Sequence, residues 1–290
     1  MNFIITNYAT ESHTEPMYLN AAFNAAGCKS VIWNNAAISA YDIFDLIKPN
    51  YYIAHIGNII KDVIYYVNEN KGIEFILNIS GVREEVLNQT LDMLEQYNVN
   101  IAFLFTNESE HQFKTKYNIL NLPFGCDIFL GRNNLKYSIN KGQIVLNKSD
   151  IKTYDTSYHT ISYRSDIKSD VDIYLPTVSL SNIYSNYDNI VFRSFKKTLQ
   201  QSLFDAIYYG NKVYYDLDDK ENARNISEKV KKLLRTDIDI CDEQSIDPKE
   251  LKKKVLEKHT CLHRAKSFLS QLPAKDFIDK LDILIDKELT

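Results

Sequence analysis

Glycine and proline are scarce in this chain, at 8 and 6 of 290 residues, while tyrosine reaches 20 and asparagine, isoleucine and lysine are abundant. That skew matches the codon usage of an AT-rich genome, such as a phage or a low-GC bacterium, and carries no chemistry of its own. Cysteine is also sparse. The four, Cys28, Cys126, Cys241 and Cys261, are widely spaced and form no CxxC pair. A disulfide framework and a zinc site are therefore not expected, and a reducing cytoplasm is the expected compartment. Basic excess is missing too, with a net charge of −4. This argues against a sequence-independent nucleic-acid or membrane binder, though it leaves room for a local basic groove. No run approaches the roughly 18 apolar residues of a spanning helix. The N-terminus "MNFIITNY" has no basic stretch before a long apolar run, so no signal peptide is expected. No internal repeat and no low-complexity segment are present.

What remains is an ordinary globular composition, 44% hydrophobic and 25% charged. A chain of this length forms one large domain or two. The first half alternates short apolar runs with helical periodicity. "NFIIT", "KSVIW", "YYIAHI", "EFILNIS" and "IAFLFTN" read as strands. Between them, "EPMYLNAAFNAAG", "AYDIFDLIKPN", "IIKDVIYYVNENKG" and "REEVLNQTLDMLEQYN" read as helices, with Pro16 at a start, Pro49 at a stop, and Gly27 and Gly72 at C-termini. Crossovers of this length predict a parallel, Rossmann-like sheet. "NILNLPFGCDIFLG" reads as a sixth strand running into a linker. In the second half "QIVLN", "HTISYR", "VDIYLP", "NIVF" and "KVYYD" are strand candidates. "LSNIYSNY", "TLQQSLFDAIYYG", "KENARNISEKVKKLLR", "DPKELKKKVLEKHTCLHRAKSFLSQL" and "KDFIDKLDILIDKEL" read as helices. The expected fold is α/β, with two Rossmann-like lobes facing a cleft and the second lobe reduced. The expected division is 1–127, 136–272, and a C-terminal helix over 273–290 that packs back on the first lobe.

The stretch "QQSLFDAIYYGNKVYYD", residues 200–216, is a strand–helix–strand unit seen from its helix start. The helix N-terminus of such a unit lies at the carboxyl edge of the sheet, where ligands bind and where free N–H groups favour an anion such as a diphosphate. Thr198, Gln200, Gln201 and Ser202 supply hydrogen-bond donors there, and Asp205 can accept from a ribose hydroxyl pair. An amphipathic helix with a polar start is the plainer reading of the same pattern. The loop "TNYATESHTEP" holds Glu11, His13 and Glu15 at the carboxyl edge of the first sheet. A near-neutral histidine suits proton abstraction from a hydroxyl, and helix capping is the alternative. "LNISGVREE" brings Asn78 and Ser80 to the same edge. His159 and Arg164 flank a second-half strand, and His55 and His111 read as strand-end or surface residues. "DLDDKE" reads as helix capping rather than a metal site, and "KELKKKVLEK" as a solvated helix face.

Residues 186–216, "NYDNIVFRSFKKTLQQSLFDAIYYGNKVYYD", resemble the nucleotide-sugar segment of GT-B glycosyltransferases, in which a helix with an "FEAMACG" type motif lies between two strands. "HTCLHRA", His259 to Ala265, resembles the "HTYxxRA" type helix of the spore-maturation CgeB-type members. "SHTEPMYLNAAFNAAGCKSVIW" is similar, more weakly, to the start of the T-even phage DNA β-glucosyltransferases, where a comparable loop holds an acid at the place of Asn78. The resemblance implies a transferase that uses a nucleotide-diphosphate sugar, expected to be a UDP-sugar, with no cofactor and no metal. It assigns donor contacts to Arg193, Lys197, Thr198, Gln201, Ser202, Asp205, His259 and Arg264, with Lys196 nearby. It assigns the base to the first lobe, at His13, Glu11 or Glu15. Two departures stand out: Asp205 replaces the family's Glu, and Gln201 or Ser202 stands where an arginine is usual. The acceptor stays open between a hydroxymethylated base in phage DNA and a surface glycan, protein or small molecule. A non-catalytic binding module of the same fold is the third reading.

Overall fold

The computed structural model describes residues 1–6, 14–107, 113–123, 125–126, 128–129, 142–145, 159–162, 173–174, 184, 189–193, 201–215 and 220–289. The chain forms two compact units. The first comprises Met1–Pro123 and Leu262–Glu288, and the second Phe124–Cys261.

The first unit opens with β1 (Asn2–Thr6), α1 (Thr14–Ala25), β2 (Lys29–Trp33), α2 (Ala40–Ile47) and β3 (Tyr51–His55). It continues with α3 (Lys61–Glu69), β4 (Glu74–Asn78), α4 (Glu84–Gln96), β5 (Asn100–Thr106) and β6 (Ile119–Asn121). The six strands are parallel in the order β2-β1-β3-β4-β5-β6. Helices cover the sheet, so its strands are apolar almost throughout: Phe3, Ile4, Ile5, Ile53, Phe75, Ile76, Leu77 and Leu104 are all buried. The helices begin and end on local chemistry. Ser39 caps α2, accepting from the Asp42 N–H at 3.2 Å and donating to its carboxylate. On its inner face α2 buries Ala40, Ile43, Phe44 and Ile47.

Two C-terminal helices belong to this unit, α8 (Cys261–Leu269, from Leu262 on) and α9 (Lys275–Leu289). Phe268 explains the attachment. Its ring lies 5.2 Å from Phe23, 5.0 Å from Phe103 and 5.5 Å from Phe105, and it is fully buried. Lys266 of α8 pairs with Asp282 of α9.

The second unit holds β7 (Gly142–Val145), β8 (His159–Ser162), β9 (Ile173–Tyr174), β10 (Asn189–Arg193) and β11 (Lys212–Tyr215). They are parallel in the order β11-β10-β7-β8-β9. Its described α-helices are α5 (Gln201–Tyr208), α6 (Lys220–Leu234) and α7 (Pro248–Lys258). The "LSNIYSNY" helix lies outside the described residues except Tyr184.

The sequence pattern through "DPKELKKKVLEKHTCLHRAKSFLSQL" predicts one helix, and this is a correction: two helices meet at His259–Thr260. The cause is a distant partner. Cys126 forms an isolated parallel bridge with Thr260, its N–H donating to the His259 carbonyl at 2.7 Å and its carbonyl accepting from the Cys261 N–H at 2.8 Å. Backbone groups committed to Cys126 cannot continue a helical ladder. No helix among the described residues is long and apolar enough to cross a membrane.

Candidate functional site

The segment 200–216 is a β10–α5–β11 unit, with β10 and β11 paired in parallel from Asn189↔Lys212 to Phe192↔Tyr215. Gly210 ends α5. It adopts φ +81°, and the Asn211 N–H closes on the Ala206 carbonyl at 3.1 Å. A helix that returns the chain between parallel strands starts at the carboxyl edge of the sheet. Gln201 and Ser202 open α5, so its first, intrahelically unpartnered N–H groups fall at that edge.

The helix is not an amphipathic surface element. Leu203, Phe204, Asp205, Ala206 and Ile207 are all buried, Asp205 at 7% exposure. An aspartate enclosed to this degree is far from a solvated face, and carboxylates are rarely buried without hydrogen-bonding or charged partners. Asn211, just past the glycine, anchors the unit by donating its side-chain N–H to the Tyr184 carbonyl at 2.9 Å.

The remaining donor candidates divide. Arg193 is the last residue of β10, the strand that feeds α5. Lys197 and Thr198 lie outside the described residues. His259 is buried beside α5, its ring 6.1 Å from Phe204, with Nε2 3.1 Å from the Leu233 carbonyl. Burial lowers its pKa below the ordinary value, and the neighbouring Lys258 acts in the same direction. Arg264 belongs to the first unit. It is 3% exposed and donates from Nη2 to Asn107 Oδ1 at 2.9 Å. Of the base candidates, Glu11 and His13 lie outside the described residues, and Glu15 is the second residue of α1.

The first unit carries a polar network at the carboxyl edge of β3, β4 and β5 that residue pattern only hinted at. Ser80 is its hub. Its N–H donates to Asn78 Oδ1 at 2.9 Å, its hydroxyl accepts from the Asn107 N–H at 3.0 Å, and its carbonyl lies 3.0 Å from His55 Nε2. The Gly57 N–H donates to His55 Nδ1 at 3.2 Å, so Nε2 carries the ring proton and donates to Ser80. Asn107 passes the chain on to Arg264. Asn78 and Ser80 were visible from their place after an apolar strand. Asn107 and its link to Arg264 had no local signal, because the two are 157 positions apart. Among the described residues, no group of three or more His, Cys, Asp or Glu is gathered in a way that could hold a metal ion.

Two parallel sheets wrapped by helices give an α/β fold of the kind found in GT-B glycosyltransferase structures. Sucrose-phosphate synthase from Thermosynechococcus elongatus matches 93% of this chain over 97% of its own, with a TM-score of 0.53 and 9% identity. The spinosyn forosaminyltransferase SpnP matches 99% of each chain at TM-score 0.48 and 10% identity. The spinosyn rhamnosyltransferase SpnG, complexed with thymidine diphosphate, covers 100% of this chain and 96% of its own at TM-score 0.42 and 8% identity. No family model matches the chain. No curated protein matches it either.

Proposed function

We propose that this protein is a nucleotide-sugar-dependent glycosyltransferase, with its donor bound by the second unit around α5. The observation that carries the reading is the enclosed Asp205 on a helix that starts at the carboxyl edge of a parallel sheet. In this reading Asp205 accepts from the ribose hydroxyls. The N-terminal N–H groups of α5, the hydroxyls of Thr198 and Ser202, the amide of Gln201 and the cations Arg193 and Lys197 hold the diphosphate. When the bond from the sugar to the diphosphate breaks, negative charge grows on the leaving phosphate oxygen. Fixed donors and a helix N-terminus oppose that charge without reorganising, which lowers the barrier. His13, Glu11 or Glu15 takes the proton of the acceptor hydroxyl. A UDP-sugar is the donor this reading favours, on the likeness of residues 186–216 to the nucleotide-sugar segment.

For the acceptor, a hydroxymethylated base in DNA stands against a glycan, protein or small-molecule hydroxyl. A duplex acceptor would have to flip its base and meet a basic strip. The net charge of −4 favours the non-DNA acceptors. The test is turnover: release of UDP from a panel of UDP-sugars, alone and with hydroxymethylcytosine DNA, plain DNA or simple glycosides, read with the mass of the acceptor. A mass gain of one sugar on any acceptor supports transfer. Nucleotide binding with no turnover on any donor identifies a binding module instead.

A further inference from the structure

His259 meets several separate elements of the second unit. Its N–H closes α7 on the Val255 carbonyl at 2.7 Å, and its carbonyl accepts from Cys126. Its side chain leaves toward α6. There the last turn ends with Arg235 in the left-handed region, φ +52°, and the Thr236 N–H on the Lys231 carbonyl at 3.1 Å. That closure uses the Lys231 carbonyl and leaves the carbonyl of Leu233, one of the last four, without an intrahelical donor. His259 Nε2 reaches it at 3.1 Å. A carbonyl only accepts, so Nε2 carries the proton and Nδ1 holds a lone pair. Nδ1 is buried without a hydrogen-bond partner among the described residues. The ring also packs at 6.1 Å and 35° against Phe204, the residue before Asp205. A second tie runs from α7 to α5, with Lys252 Nζ 5.3 Å above the Tyr208 ring.

We propose that His259 is a positioning residue: by donating Nε2–H to the Leu233 carbonyl and seating its ring on Phe204, it locks α5 against α6 and α7 and so sets the place of Asp205. It acts through the helix rather than by touching the donor. Burial supports this by keeping the ring neutral, the state in which a single N–H faces Leu233. The structural part of the inference stands on the geometry, and only its effect on nucleotide affinity rests on the donor reading above.

Glutamine and asparagine separate positioning from direct contact. A glutamine amide extends about as far as histidine Nε2, and an asparagine amide only as far as Nδ1. Full-length His259→Gln and His259→Asn would be compared by hydrogen exchange of residues 201–208 and by calorimetric titration with UDP. Positioning predicts that Gln keeps exchange protection and UDP affinity within about twofold, while Asn loses protection and about fivefold or more in affinity, the scale of one buried hydrogen bond. If Asn retains affinity and Gln loses it, His259 contacts the nucleotide through Nδ1 and the proposal fails. Equal protection of α5 in both variants and the wild type also overturns it. If the wild type binds no UDP, the donor reading falls, and the exchange comparison still decides the role of His259.

Discussion

Arg264 Nη2 donates to Asn107 Oδ1 at 2.9 Å across 157 positions of sequence. Through this bond and Phe268, one turn further on, α8 belongs to the first unit although the preceding helix belongs to the second. Phe268 fills the space between Phe23, Phe103 and Phe105. Phe268→Ala would remove those ring contacts and leave a cavity, costing about 3–5 kcal/mol. Urea denaturation, with the midpoint and slope both fitted, measures it. A loss under about 1 kcal/mol would mean that the site collapses freely and that α8 is not anchored by this ring.

Gly210 tests whether the end of α5 depends on its backbone shape. The residue has φ +81°, and a Cβ there would meet no heavy atom within 4 Å. Gly210→Ala therefore costs only the left-handed strain of an L-residue, about 1–2 kcal/mol, and Gly210→Asn costs less. Thermal unfolding should rank them Gly, Asn, Ala. A larger loss for Asn than for Ala would contradict that origin.

Acid sensitivity follows from His259. Burial, helped by Lys258, holds its folded pKa below the ordinary 6.5, and the bond to Leu233 offsets only part of this. Between the folded and unfolded pKa values the unfolded chain binds more protons than the folded one. The contribution is thus fully present above the unfolded value and is lost as pH falls below it. Stability measured from about pH 7.5 down to about pH 5 should fall less steeply in His259→Gln than in the wild type. Parallel curves would assign the acid limb to other groups.

Thiol chemistry gives a further check. Cys126 and Cys261 are fully buried, Cys28 is 5% exposed, and burial pushes the Cys28 thiol up to about 11. Cys241 is half-buried and donates its S–H to the Ala223 carbonyl at 3.3 Å. A thiolate is the reactive form, so a thiol reagent near neutral pH should modify Cys241 first in the native protein and the others only on unfolding. Rapid reaction at Cys28, mapped by peptide mass, would contradict its burial.

The legible parts of this fold were local. Each of the six strands of the first sheet is an apolar run bounded by polar or helical sequence, and "QIVLN", "HTISYR", "VDIYLP", "NIVF" and "KVYYD" each overlap a strand of the second. Gly27 and Gly210 stop helices where the pattern placed them. The illegible parts depend on distant partners. Nothing near His259 announces that Cys126 will take its carbonyl and break the helix. Nor does "HTCLHRA" reveal that its first histidine and its arginine serve different units, with Arg264 on Asn107 and His259 on Leu233. Both came to notice through the resemblance of this stretch to the "HTYxxRA" type helix and through their spacing of about one turn. Their partners are set by tertiary packing, which spacing does not encode. Asp205 drew attention by its place about one turn into a helix that starts at the carboxyl edge of a sheet, but the amphipathic reading of that helix fails, because Phe204, Ala206 and Ile207 are all buried.

The most direct test of the glycosyltransferase account is calorimetric titration of UDP and UDP-sugars into the wild type and into Asp205→Asn, with circular dichroism confirming that both are folded. The account predicts binding by the wild type at millimolar nucleotide or below, and a loss of at least about tenfold in the variant, the scale of a hydrogen bond to a charged group. No binding by the wild type at millimolar nucleotide, or equal affinity in the two proteins, would contradict it.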